Sequence, residues 1–140
     1  LKELTHETGA ALILITHDLG VVARYADHVA VMYGGRIVEQ AEAGALYARP
    51  RHPYTRGLLA CLPGVARRRE MAGQAQPPGA PRRRLVAIAG QVSSPLAPPP
   101  GCAFAPRCTS RQTDCETAMP PLEATTALRR VRCIHREVHA

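Results

Sequence analysis

The chain has 140 residues, 46% of them hydrophobic and only 4% aromatic, and 18 Lys and Arg against 11 Asp and Glu give it a formal charge of +7. That length holds one domain, or a part-domain carrying an appendage. No apolar stretch approaches the roughly 20 residues of a membrane-spanning helix and no signal-peptide pattern precedes the fold, so neither a spanning chain nor a secreted one is expected.

Leu1 to Thr8 reads as the end of a helix with Gly9 as its C-terminal cap; with Leu rather than Met first, we expect a carboxyl-terminal fragment. Ala11 to Ile15 is continuous in apolar side chains, which predicts a strand covered on both faces. The run stops at Thr16-His17-Asp18, putting an imidazole at the carboxyl end of a core strand, where ligands of open α/β sheets usually sit. Asp18 is the expected N-cap of a following helix whose Leu19, Val22, Ala23 and Ala26 fall on one face. His28–Tyr33 and Arg36–Gln40 then predict two strands, joined by Gly34-Gly35, which permits the positive φ angles of a two-residue hairpin. Residues 1 to 62 therefore read as an α/β unit.

Two short helices close that unit. Glu42 to Tyr47 is stopped by Arg49-Pro50, and Pro53 opens the second piece, Tyr54 to Cys61. Cys61 shares an apolar face with Leu58, Leu59 and Leu62 and reads as a small core residue. Residues 63–100 are rich in Pro, Gly, Gln and Arg, and only Leu85 to Ala89 suggests a strand; a mostly extended linker is expected.

Charge is balanced through residue 60, so the excess lies beyond it, where twelve arginines face five acids. Arg67-Arg68-Arg69 and Arg82-Arg83-Arg84 supply half of those arginines. Such clusters neutralise nucleic-acid phosphates, decorate a solvated linker, or meet anionic lipid headgroups or an acidic loop of a membrane partner. No aromatic residue lies between the triplets to stack on bases, which argues against a single-strand binder.

Residues 101–140 hold Cys102, Cys108, Cys115 and Cys133, spaced too widely for the close Cys-x2–4-Cys pairs of structural zinc. A short, proline-rich tail needs a staple, and clustered cysteines in a reducing compartment suggest a metal rather than disulfides. Wide spacing suits a [4Fe–4S] cluster, with Zn2+ as the alternative and unliganded or transiently oxidised thiols as a third possibility. His135, two residues after Cys133, departs from the four-cysteine pattern and is left outside it.

Ile15-Thr-His-Asp-Leu-Gly-Val-Val22 resembles the switch motif of ABC-transporter nucleotide-binding domains. His52-Pro-Tyr-Thr-Arg-Gly-Leu-Leu59, Gly101-Cys-Ala-Phe-Ala-Pro-Arg-Cys108 and Val131-Arg-Cys133 are similar to segments of the ATP-binding subunits of oligopeptide/dipeptide (peptide/nickel) importers. The resemblance implies the C-terminal part of a P-loop NTPase domain, then the linker, then a metal-stapled tail. It implies that His17 touches the terminal phosphate of ATP and acts in catalysis, that ATP and Mg2+ are bound, and that some relatives carry iron–sulfur at these cysteines. The expected partners are membrane-spanning permease subunits and a second ATP-binding subunit, as homo- or heterodimer, at the cytoplasmic face of the membrane. The bland reading of His17 is a turn cap, and that of Tyr54 and Leu58-Leu59 is helix core.

No Gly-x4-Gly-Lys-Ser/Thr loop, no Leu-Ser-Gly-Gly-Gln signature and no apolar run ending in paired acids is present, and the only lysine is Lys2. These residues alone should not hydrolyse ATP. The rival reading from another class is a cysteine-metal module with an Arg-rich arm for nucleic acid.

Overall fold

A computed structural model describes residues 5, 7–62, 87–94 and 96–136. Both Arg triplets and most of the expected linker lie outside the described residues. In chain order the elements are α1 (Leu19–Tyr25), β1 (His28–Tyr33), β2 (Arg36–Glu42), α2 (Ala43–Ala48), α3 (Pro53–Ala60), β3 (Glu123–Thr126) and β4 (Arg129–Val131). Short 3-10 turns at Ala105–Arg107 and Thr113–Glu116 lie between α3 and β3.

One antiparallel sheet of four strands, ordered β1-β2-β4-β3, organises the described residues. β1 alternates strictly, sending Val29, Val31 and Tyr33 inward. Gly34 and Gly35 adopt φ +55 and +75, the left-handed pair that a two-residue hairpin needs. The tail enters the same sheet: Glu39 is paired with Val131 and Gln40 with Arg130. Sequence reading offered no strand after Cys115, because β3 and β4 are too short for alternation to stand out, and Val131 is the only fully buried residue in either.

The core joins the inward residues of β1 to Val38, Ala41, Leu46, Leu59 and Phe104. Tyr33, Tyr54 and Phe104 form an aromatic triad, with centroids 4.6 Å apart for Tyr33–Tyr54 and 5.2 Å for Tyr33–Phe104. Phe104 belongs to the tail, so that triad fastens the cysteine segment to the α/β unit. Arg107 adds to the seam, reaching the carbonyls of Ile88 and Ala89 and the hydroxyl of Tyr33.

Several expected details are present. Thr5, Glu7 and Thr8 are helical and Gly9 follows at φ +63. Asp18 caps α1, accepting from the Gly20 and Val21 amides at 2.8 and 3.2 Å. Leu19, Val22 and Ala26 pack on the core, but Ala23 is exposed. Cys61 is half-buried, its thiol donating to the Gly57 carbonyl.

The expected strand at Ala11–Ile15 is a correction. This run is irregular, and Ile13 and Ile15 are 88% and 94% exposed. A segment apolar on both faces is buried only between flanking strands and covering layers. The described sheet supplies neither to it, and β1 keeps a free edge. Of the second expected strand, residues 87–89 are also irregular, and Leu85 and Val86 lie outside the described residues.

Candidate functional site

Four thiols from separate stretches of the tail converge on one small cavity of about 20 Å³ lined by Cys102, Cys108, Cys115 and Cys133. Backbone bonds bring them there. The Cys102 amide donates to the Cys115 carbonyl at 2.8 Å, and the Ala105 amide donates back to the Cys102 carbonyl at 2.9 Å. The turn at Ala105–Arg107 carries the chain to Cys108, whose amide closes on the Ala105 carbonyl. Cys133 follows β4, registered by the Arg132 amide on the Val38 carbonyl at 2.8 Å and by the Arg132 side chain on the carbonyls of Ile37 and Pro120.

All five cysteines are free thiols. Burial pushes the Cys102 and Cys108 thiols up from their ordinary value, against lowering by nearby backbone amides. Burial pushes Cys133 up to about 11, and the neighbouring Cys102, Cys108 and Cys115 add to the rise. Mutual repulsion of this kind marks a set of groups that share one space. A cation there would offset it by holding the sulfurs as thiolates, with release of their protons.

Two histidines border the same cavity. His135 Nε2 lies 2.9 Å from Asp114 Oδ1, a contact that holds the Asp114 carboxyl below its usual range. Asp114, Cys115 and His135 place donor atoms within 4.8 Å of one another. The proximity of His135 was legible only in part, as a His two residues from a Cys. His52 was missed as a site residue: the sequence offers it only as the start of His-Pro-Tyr-Thr, yet it lines the cavity and is 1% exposed.

His17 stands apart from this centre. It is exposed, in the bend just before the Asp18 cap, and does not line the cysteine cavity. Its placement beside a cap also fits the turn reading.

Residues 38–79 and 71–115 match the family described as oligopeptide/dipeptide transporter, C-terminal region. The chain belongs to that family. It is similar over 95% of its length, at 44% identity, to a probable peptide ABC transporter ATP-binding protein, y4tS, of Sinorhizobium fredii, of which it covers 34%. It is 41% identical to the oligopeptide transport ATP-binding protein AppD of Bacillus subtilis, over 95% of the chain and 37% of that protein. With the dipeptide transport ATP-binding protein DppF of Haemophilus influenzae it shares 36% identity over 96% of the chain and 38% of the relative. The chain thus spans about a third of the length of these curated relatives. A nucleic-acid module finds no support among them. Among the described residues, no helix is long and apolar enough to cross a membrane.

Proposed function

We propose that the intact protein is an ATP-binding subunit of an ABC importer that couples ATP hydrolysis to uptake of oligopeptides, dipeptides or a related solute. The observation that carries this reading is the similarity of nearly the whole chain to peptide-transport ATP-binding proteins, at 44% identity in one case. In this role the protein works at the cytoplasmic face of the membrane against permease subunits, paired with a second ATP-binding subunit. Mg2+ and ATP are held mainly by residues outside this chain, so residues 1–140 alone are inactive.

His17 serves as the switch residue. A neutral imidazole donates one hydrogen bond and accepts another, so it can bridge a terminal phosphate oxygen and a backbone carbonyl. Asp18 supports that role by fixing the start of α1 immediately beyond the ring. In the full-length protein, His17→Ala lowers ATPase turnover by about 10²–10⁴-fold. Unchanged ATPase and transport would remove the assignment.

Cys102, Cys108, Cys115 and Cys133 fit an iron–sulfur centre: four soft donors surround one buried, largely apolar cavity. Tetrahedral zinc draws four sulfurs to within about 4 Å of each other. Among the described residues, the trio with donor atoms mutually within 4.8 Å is Asp114, Cys115 and His135, not three cysteines. The wide spacing of the four cysteines along the chain favours the larger [4Fe–4S] body over Zn2+. Such a group supplies a structural staple and, if it cycles, one-electron chemistry. Anaerobic purification followed by iron and sulfide analysis tests this; a colourless protein with stoichiometric zinc overturns it.

A further inference from the structure

We propose that Tyr47 is a positioning residue for the switch histidine, its hydroxyl holding the start of α1 so that His17 keeps its direction, and that Arg129 of the C-terminal strand pair anchors Tyr47 for that task. The inference rests on the reading of His17 given above and deepens it.

His17 takes its direction from its neighbours. It sits in a bend between Thr16 and Asp18, and the Asp18 amide donates to Thr16 Oγ1 at 3.0 Å, closing the turn around it. Asp18 then caps α1, which begins at Leu19, so the orientation of α1 sets that of the bend. A helix of seven residues is marginal by itself and takes its pose from what it is fastened to.

The fastening comes from α2. The Tyr47 hydroxyl donates to the carbonyl of Leu19, the first residue of α1. Burial and then the Asp18 carboxylate push the Tyr47 phenol up from its ordinary value, so it keeps the proton it donates. At the other end, the Ala43 amide donates to the Asp27 carbonyl at 2.9 Å, just past the C-cap of α1. Leu19 and Tyr47 also both pack on the core.

With six residues, α2 is short too, and its last carbonyls need donors from outside the helix. Arg129 supplies them. Its Nη1 donates to the Arg49 carbonyl at 2.8 Å and its Nη2 to the Ala45 carbonyl, so the two acceptors bracket Tyr47. The guanidinium is buried, and a cation at the C-terminal end of a helix complements the helix dipole. Arg129 opens β4, so the strand pair of the tail is joined to the switch segment through α2 and Tyr47.

The test uses the full-length protein, with Tyr47→Phe removing one oxygen and leaving the packed ring. Steady-state ATPase gives kcat and KM, and single-turnover hydrolysis with enzyme in excess keeps the slow His17→Ala background measurable. Tyr47→Phe is expected to lower kcat about tenfold with KM for ATP within about twofold of wild type, because orientation of the imidazole is lost and not the hold on the nucleotide. In the His17→Ala background the same substitution should change the rate by less than about twofold, since the hydroxyl acts through the imidazole. Arg129→Lys keeps the charge but loses the fork that spans two carbonyls. It should lower kcat about threefold and add nothing to Tyr47→Phe.

Tyr47→Phe with wild-type kcat overturns the inference and leaves the His17 reading intact. An equal loss with and without His17 also overturns it, because the damage is then general. Arg129→Lys with wild-type kcat, or with a loss that adds to that of Tyr47→Phe, overturns the part assigned to the tail. His17→Ala with wild-type ATPase removes the inference and the reading beneath it together.

Discussion

Gly101 lies directly against the backbone of Cys115: a β-carbon at Gly101 would sit 2.2 Å from the Cys115 carbonyl oxygen and 2.7 Å from the Glu116 Cα. No side chain rotates away from such a clash, because the atoms met are backbone. The same approach allows the Cys102 amide to reach the Cys115 carbonyl. Glycine is thus required here for proximity rather than for an unusual φ. Gly101→Ala should push the Cys102 and Cys115 stretches apart, costing at least about 1–3 kcal/mol by overpacking. Urea unfolding reads the cost, and metal content reads the separation of the thiols. Wild-type values for both would show that the turn absorbs a methyl group.

Glu39 offers a second test, remote from the cysteines in sequence. Its carboxylate is fully buried and accepts from the Arg51 and His52 amides at 2.9 Å each. It ties the middle of β2 to the start of α3. Glu39→Gln presents amide hydrogens to at least one of those donors, and a buried donor left unsatisfied costs about 1–3 kcal/mol. A lower denaturation midpoint with unchanged slope is expected. A midpoint within error of wild type would mean that water or a shifted loop satisfies the amides.

What the sequence disclosed and what it withheld follow from the range of the interactions. The Asp18 cap, the Gly34-Gly35 turn and the Pro53 start of α3 are written in a few adjacent residues, and each stands where local chemistry puts it. The cysteines were legible as a group because only their spacing was needed. Long-range pairing was not: nothing near Arg129–Val131 announces that its partner is β2, some ninety positions earlier. Arg129 shows the same limit. It is buried and donates to the carbonyls of Ala45 within α2 and of Arg49 at its C-cap, far earlier in the chain. The run at Ala11–Ile15 failed in the opposite way, since its apolar pattern specifies burial but not the neighbours that provide it.

Alkaline pH should weaken the metal-free fold. Burial raises the Cys102 and Cys108 thiols above their ordinary 9.0 and Cys133 to about 11, and it also raises Tyr47 and Tyr54 above 10.0. The folded chain then keeps protons that the unfolded chain gives up, so stability falls as pH rises. For Cys133 the contribution is whole below the unfolded value of 9.0 and is lost as pH climbs through about 11. Urea midpoints of metal-free protein should drop between about pH 8 and about pH 10.5. Metal uptake has the opposite sign and tightens with rising pH, because thiolates are the ligands. A midpoint constant across this window would contradict the burial of these groups.

The exposed run Leu12–Ile15 makes a prediction about behaviour rather than folding. Ile13 and Ile15 project into solvent, and the stretch has high β-propensity, no charge and no proline. Segments of that composition pair with one another when nothing covers them. Ile13→Lys with Ile15→Lys should therefore reduce concentration-dependent self-association of the 140-residue chain, measured by light scattering. Because neither side chain is buried in the described fold, the urea midpoint should move by less than about 0.5 kcal/mol of equivalent stability. A loss of several kcal/mol would place these side chains in a packed interior instead, and unchanged association would show that the run is not the surface through which copies meet.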